Sequence, residues 1–401
     1  MMQAMTQLSL LKFNKWLEQT PRANATFDRS YILLAAAMYA IGLIMVMSSS
    51  MPVAERLFDN PFHFFIRHSI YIVLSIIIGI AVMQIPMSKW HQYSGPLLLS
   101  AIFLLLLVLV VGRTVNGSTR WIVIGPITVQ AAEPAKLYFF SYLAAYMVRR
   151  RDEVMENFKG FIKPLVVFGV LALLLLLQPD LGTVVVMFVT TFGLLFLAGA
   201  KLWQFIGIAL TGLSAIAALA YFSPYRWARV TSFLDPWADP FGSGYQLTQS
   251  LMAYGRGEVF GQGLGNSIQK LEYLPEAHTD FVMAILAEEM GFVGIAVVLL
   301  LSITLVMKAL LLGRKALLKE KYFEGFFAYA IGIWFSFQTA VNVGASAGIV
   351  PTKGLTMPLI SSGGSSMIIM TIAVVVLMRI DHEIRLQSLQ ATSKGGRKND
   401  K

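Results

Sequence analysis

Runs of about twenty apolar residues recur along this chain, and they constrain the fold more than any other feature. A membrane-spanning helix needs about 20 mostly apolar residues, and ten such runs are read at 31–50, 68–85, 95–112, 131–148, 162–178, 181–199, 202–222, 281–312, 323–350 and 355–379. Of the 401 residues, 56% are hydrophobic and 13% charged, against about 25% charged in soluble domains. The mean hydropathy is +0.67. The expected class is an all-α polytopic membrane protein of about ten transmembrane helices. The 1–30 segment lacks an apolar core with a cleavage site, so the first apolar run is expected to act as an uncleaved anchor. The chain has no cysteine, which excludes disulfides and thiolate metal sites.

Basic residues set the orientation. With both termini cytoplasmic, the N-terminus, the loops near 86–94, 149–163, 200–202 and 308–322, and the C-terminal tail hold 22 of the 32 Lys and Arg. The organisation expected is a cytoplasmic segment 1–30, a membrane domain 31–379 and a cytoplasmic tail 380–401. The long polar stretch 223–280, between the seventh and eighth spans, then faces outward. It carries four basic and six acidic residues and is too aromatic for disorder. No internal repeat of the kind many transporters carry is evident.

The end of that loop concentrates charge. From Lys270 to Asp280, Lys-Leu-Glu-Tyr-Leu-Pro-Glu-Ala-His-Thr-Asp, five ionisable side chains precede the apolar sequence at Phe281. Pro275-Glu276 reads as a helix start, placing Asp280 about one turn later, with His278 beside it. A partly desolvated carboxylate there suits a general base; the same pattern also suits acids that solvate a helix end. Arg120 follows the third span, Glu133 and Lys136 open the fourth, and Lys353 lies between the ninth and tenth. Cations from three outward loops around one acidic loop suit a diphosphate, whereas a Lys136 considered alone suggests snorkelling. Ser361-Ser362-Gly363-Gly364-Ser365-Ser366 suggests close helix packing. Gln338 and Asn342 suggest interhelical hydrogen bonds, and Glu288-Glu289 either a functional pair or a polar helix contact.

Three segments carry a family resemblance. Gln178-Pro-Asp-Leu-Gly-Thr183, Leu274-Pro-Glu-Ala-His-Thr-Asp280 and the stretch from Asn342 to Ser366 together resemble the SEDS family of shape, elongation, division and sporulation proteins, over essentially the whole chain. Lys270–His278 and Gly242–Ser250 most resemble the division branch, with the elongation branch as competitor. The resemblance implies a peptidoglycan glycosyltransferase at the outer face of the bacterial cytoplasmic membrane, polymerising lipid II with inversion and release of a polyprenyl diphosphate. It places the catalytic carboxylate at Asp280 and substrate-binding or activating positions at Glu272, Lys353 and Arg120; Lys136 and His278 join them as candidates from the reading of the residues. A divalent cation, Mg or Mn, would share the diphosphate charge, although the sequence has no dedicated metal site. Expected partners are a division-specific class B penicillin-binding transpeptidase and other division-complex membrane proteins at the septum. The rivals are a lipid II flippase, which needs polar residues in both leaflets, and a scaffold, which leaves Asp280 unexplained.

Overall fold

The computed structural model describes residues 27–115, 118–125, 127–222, 227, 231–351 and 354–396. Among the described residues, seven helices are long and apolar enough to cross a membrane, and the protein is a multi-pass membrane protein. They are α1 (Ser30–Phe58), α2 (His63–Met83), α4 (Ser94–Val111), α7 (Phe158–Leu177), α11 (Val282–Leu318), α12 (Tyr322–Ser346) and α13 (Gly364–Gly396), whose apolar part ends near Leu389. Three more helices, α5 (Ala132–Arg149), α8 (Leu181–Leu197) and α9 (Leu202–Tyr221), lie where the remaining spans are read. Short helices α3 (Met87–Gln92), α6 (Arg151–Glu156) and α10 (Tyr245–Gly257) complete the helical set used below.

The bundle closes around α5, which packs against α4, α8, α12 and α13. Its face-independent burial, from Ala132 to Met147, includes Glu133 and Lys136. A helix buried on all sides needs no lipid-facing stripe, which is why α5 can carry two ionisable residues in its first turns. Lys136 does not snorkel. Its side chain is fully buried, with Nζ 3.0 Å from Glu133 Oε1 and donating to Gln338 Oε1 at 3.1 Å.

The chain is not purely helical. Between α4 and α5, β1 (Arg113–Val115), β2 (Ser118–Ile124) and β3 (Ile127–Gln130) form an antiparallel meander. Trp121 pairs with Gln130 and Ile124 with Ile127 across β2 and β3. Ile122, Val123, Ile124, Ile127, Thr128 and Val129 are β-branched residues that suit such a ribbon. The ribbon carries Arg120 and Trp121.

Residues 231–280, ahead of α11, are likewise held by specific bonds. Within them α10 packs on α11, and residues 258–263 run beside a break in α11. Gln262 N donates to Glu288 O (2.9 Å), Gly263 N to Glu289 O (3.0 Å), and Phe292 N to Glu258 O (3.0 Å). These bonds replace helical ones around Gly291, whose φ of 64° breaks the helix. A Cβ on Gly261 would lie 2.2 Å from Glu289 O, so the close approach requires glycine there. Glu288 and Glu289 anchor the same junction. Glu288 accepts from Arg256 Nη1 (2.9 Å), from Ser267 Oγ and from the amides of Ile268 (3.0 Å) and Gln269 (3.2 Å). Glu289 pairs with Lys270 Nζ at 2.8 Å and accepts from Ser48 Oγ on α1. Glu288 thus holds α10 and the 267–269 segment, and Glu289 holds α1 and Lys270.

Both ends of the tenth span depart from the sequence reading. The tenth span begins at 364, not 355, because 354–363 is a non-helical segment buried among helices. Irregular backbone at membrane depth must find partners inside the protein. Here Asn342 Nδ2 bonds Leu355 O (2.6 Å), Gln338 Nε2 bonds Thr356 O (2.9 Å), and Ser362 N bonds His278 O (3.1 Å). At its far end α13 continues through 380 without a break. Asp381 there accepts from Asp28 N at 2.8 Å and from Arg385, joining the C-terminal segment to the start of α1.

Candidate active site

Asp280 directly precedes the N-cap of α11, Phe281. Pro275-Glu276 does not start the helix. Glu276 has a φ of 56°, and Thr279 N and Phe281 N both donate to its carbonyl (3.1 and 3.2 Å), so 276–281 is a compact turn. That turn delivers Asp280 half-buried against the 354–363 segment. Asn342 holds both pieces with one amide, donating to Asp280 O at 3.0 Å and to Leu355 O at 2.6 Å.

Gly354 marks the meeting point. A Cβ built there would lie 3.2 Å from Asp280 Oδ2 and 3.8 Å from Arg120 Nη1, so carboxylate and guanidinium face one small space. Arg120 is braced from behind: Nε donates to Gln178 O (3.1 Å), and Nη2 donates to Pro179 O. The next residue, Asp180, caps α8 by accepting from Thr183 N (3.2 Å) and Thr183 Oγ1 (2.8 Å). Charge-assisted bonds of this kind contribute about 1.5–3 kcal/mol each, enough to fix the guanidinium's direction. Lys353, next to Gly354 in the chain, lies outside the described residues.

The other candidates are distributed around this point. The His278 ring sits 4.5 Å from that of Phe64. Burial lowers its pKa below the usual 6.5, against the opposing effect of Glu276, so the imidazole is neutral near pH 7. His278 is therefore a polar wall residue, not a standing cation. Glu272 pairs with Arg56 Nε at 2.6 Å, at the end of α1. Lys136 lies beneath the site in its pair with Glu133, and through Gln338 it supports the segment at Thr356. Among the described residues no three His, Asp or Glu side chains converge as a metal cage.

Next to Asp280 a cavity of about 180 Å³ opens between α2, the ribbon and the start of α13. Arg67, His68, Trp121, His278, Thr279 and Ser365 are among its walls. The serine-glycine run thus has two roles: it borders the cavity, and Gly364 lets the chain pass the Tyr71 ring, where a Cβ would come within 2.3 Å. The sequence reading missed Arg67, His68 and Arg56. The available signal was Phe62-His63-Phe64-Phe65-Ile66-Arg67-His68, three basic or imidazole side chains at the mouth of the second apolar run.

Residues 28–386 match the family profile of FtsW, RodA and SpoVE, described as a cell cycle protein. The chain belongs to the FtsW/RodA/SpoVE family. Among its relatives is a probable peptidoglycan glycosyltransferase FtsW of Pseudoalteromonas atlantica, 67% identical over 380 residues, covering 95% of this chain and 78% of the relative. Another protein of that name, from Escherichia coli O6:H1, is 57% identical over 371 residues, covering 92% and 90% respectively. The fold resembles a solved peptidoglycan synthase complex that coordinates polymerization and crosslinking, with a TM-score of 0.74 and 28% identity over 90% of this chain and 99% of that one. It also resembles the rod shape determining protein RodA of Thermus thermophilus, with a TM-score of 0.66 and 27% identity over 90% and 97%. In FtsW/RodA/SpoVE terms, the three segments that carried the resemblance converge here: Gln178–Pro179 on Arg120, and 274–280 and 342–366 on Asp280.

Proposed function

We propose that this protein is a peptidoglycan glycosyltransferase of the FtsW type, polymerising lipid II into glycan strands. The observation that carries the reading is the opposition of Asp280 and Arg120 across Gly354. Glycosyl transfer from a lipid diphosphate needs a base for the acceptor hydroxyl and positive charge near the leaving group. Asp280 takes the hydroxyl proton; the oxygen forms a bond to the anomeric carbon as the bond to the diphosphate breaks, and the diphosphate departs with its electron pair. Attack from the face opposite the leaving group inverts the centre without a covalent enzyme intermediate. Asn342 and the turn at 276–281 position the carboxylate. Arg120, held by Gln178 and Pro179, supplies fixed positive charge, and Lys353 adds to it. Glu272 and His278 shape the approach from the outer loop, and Lys136 supports the floor. The described residues present no ready ligand set for a divalent cation, and no step here passes through one.

The outward loop and Asp280 face the periplasmic side, both termini lie in the cytoplasm, and the polymerase works at the septum. Its partner is a class B penicillin-binding transpeptidase that crosslinks the new strands, within a larger set of division proteins. The test is polymer formation from labelled lipid II by the purified chain reconstituted with that transpeptidase. Glycan ladders are expected. Unchanged lipid II in the presence of a correctly assembled complex would contradict the reading.

A further inference from the structure

The end of the bundle opposite Asp280 gathers cations that lack a carboxylate partner. α11 runs 37 residues from Val282, beside Asp280, to Leu318, about 55 Å at about 1.5 Å per residue, and α12 starts close by at Tyr322. At this end α3, the first residue of α4, and the junction of α5 with α6 come together with the start of α12. Arg149, in the last turn of α5, donates from Nη1 to Ser94 Oγ at 3.4 Å and stands 5.9 Å from the centre of the Tyr142 ring. Arg151, at the start of α6, lies 4.8 Å from the centre of the Tyr322 ring. Lys89, on α3, lies 5.7 Å from the centre of the Tyr93 ring. The ring of His91, on the same short helix, sits 4.8 Å from that of Phe323 on α12. Lys89, Arg149 and Arg151 are all exposed.

Other cations nearby end on a carboxylate: Lys308 on Asp28, Arg379 on Glu383 and Arg385 on Asp381. Among the described residues Lys89, Arg149 and Arg151 do not. The acids around them are engaged elsewhere, Glu153 by Arg150 and Lys163 and Glu324 by Lys321. An aromatic face attracts a cation while leaving its N–H edge open, and a guanidinium has five N–H donors, of which Arg149 gives one to Ser94. We propose that this surface seats the headgroup of an anionic phospholipid. Basic clusters at and between the ends of membrane helices are where such headgroups bind. The helix beside the cluster continues the site into the bilayer. Past Tyr93, the residues Leu99, Phe103, Leu106 and Val110 of α4 recur at helical spacing and are all exposed. A phosphate held by the three cations leaves its acyl chains along that stripe, which a water-soluble acidic partner would not use. The lipid bridges α4, α5, α6 and α12, and the assignment is independent of the glycosyltransferase reading.

The experiment is lipid binding to the purified full-length chain in detergent, with apparent Kd values read by native mass spectrometry. The probes are tetraoleoyl cardiolipin, dioleoyl phosphatidylglycerol and dioleoyl phosphatidylcholine, with inorganic phosphate and a polyglutamate peptide as separate arms. The two anionic lipids should bind about tenfold or more tightly than phosphatidylcholine. Lys89→Gln, Arg149→Gln and Arg151→Gln should each weaken anionic-lipid binding about fivefold, the effect of one basic residue at a membrane surface, and leave phosphatidylcholine binding unchanged. Arg149→Lys, which keeps the charge, should retain most of the affinity. Lys89→Gln changes an exposed side chain with no carboxylate partner, and it carries the test if the arginine variants do not fold. Equal affinity for anionic and zwitterionic lipids, or wild-type affinity in the folded variants, would overturn the proposal. Polyglutamate binding that the variants lose, without any lipid preference, would assign the surface to an acidic protein and overturn it too. Binding of inorganic phosphate with equal affinity for all three lipids would do the same by reducing the surface to a free-anion site.

Discussion

Asn342 Nδ2 donates to the main-chain carbonyl of Asp280 at 3.0 Å, tying the 276–281 turn to α12, 62 residues away in sequence. The same amide reaches Leu355 O, so one side chain holds both walls of the Gly354 space. Asn342→Leu removes both bonds. A displacement of about 1 Å at the base can cost about 10²-fold in rate, and a loss of that order is expected in lipid II turnover while lipid II binding is retained. Wild-type turnover by a folded Asn342→Leu protein would show that the carboxylate is positioned by other contacts.

Gly354→Ala tests the same space sterically. The added methyl would stand 3.2 Å from Asp280 Oδ2, tighter than an ordinary van der Waals contact, so the carboxylate or the segment must shift. Turnover should fall by about 10-fold to 10²-fold with little change in thermal stability. An alanine variant with normal turnover would mean that the acceptor approaches Asp280 from another side.

The buried pair beneath the site makes a stability prediction. Removing one partner of a buried ion pair costs about 3–5 kcal/mol because the other charge is left uncompensated. Lys136→Met alone should therefore unfold at clearly lower temperature. Glu133→Leu with Lys136→Met should recover much of the loss. Equal stability of the single and double variants would show that the two side chains do not compensate each other.

These predictions also mark what could be read in the chain. The apolar runs predicted the helices because lipid demands about 20 apolar residues per span, and the acid-rich 270–280 stretch pointed to Asp280. The fate of Lys136 was hidden: snorkelling or burial depends on Gln338, 202 residues further on. Arg67 and His68 were hidden for the same reason, since their cavity is completed by residues 362–366. The ribbon carrying Arg120 was visible in principle. Its β-branched run broken by Gly125-Pro126 is a hairpin pattern, but in a chain dominated by helical spans it reads as a loop. The kink at Gly291 was not legible, because a long apolar run does not reveal where another strand of backbone takes over its hydrogen bonds.

His278 predicts a pH effect on stability. Its folded-state pKa lies below the usual 6.5, chiefly through burial. Above pH about 6.5 it is neutral in both folded and unfolded chains and contributes no pH dependence. As pH falls below that value the unfolded chain takes up the proton first, so folding stability declines until the folded pKa is passed. His278→Phe, which keeps an aromatic ring beside Phe64, should flatten the stability profile on the acid side of about pH 6.5. A variant profile as steep as wild type would assign the acid sensitivity to another group.

The central claim is that Asp280 removes the acceptor proton. The direct measurement is chain formation from labelled lipid II by Asp280→Asn in complex with the proposed transpeptidase partner, with expression and complex formation measured on the same sample. General-base catalysis contributes about 10²–10⁴-fold, so Asp280→Asn should form almost no polymer while remaining folded and partner-bound, and Asp280→Glu should be down about 10²-fold through misplacement. Polymerisation at the wild-type rate by Asp280→Asn would contradict the account and move the base to Glu272 or Glu276.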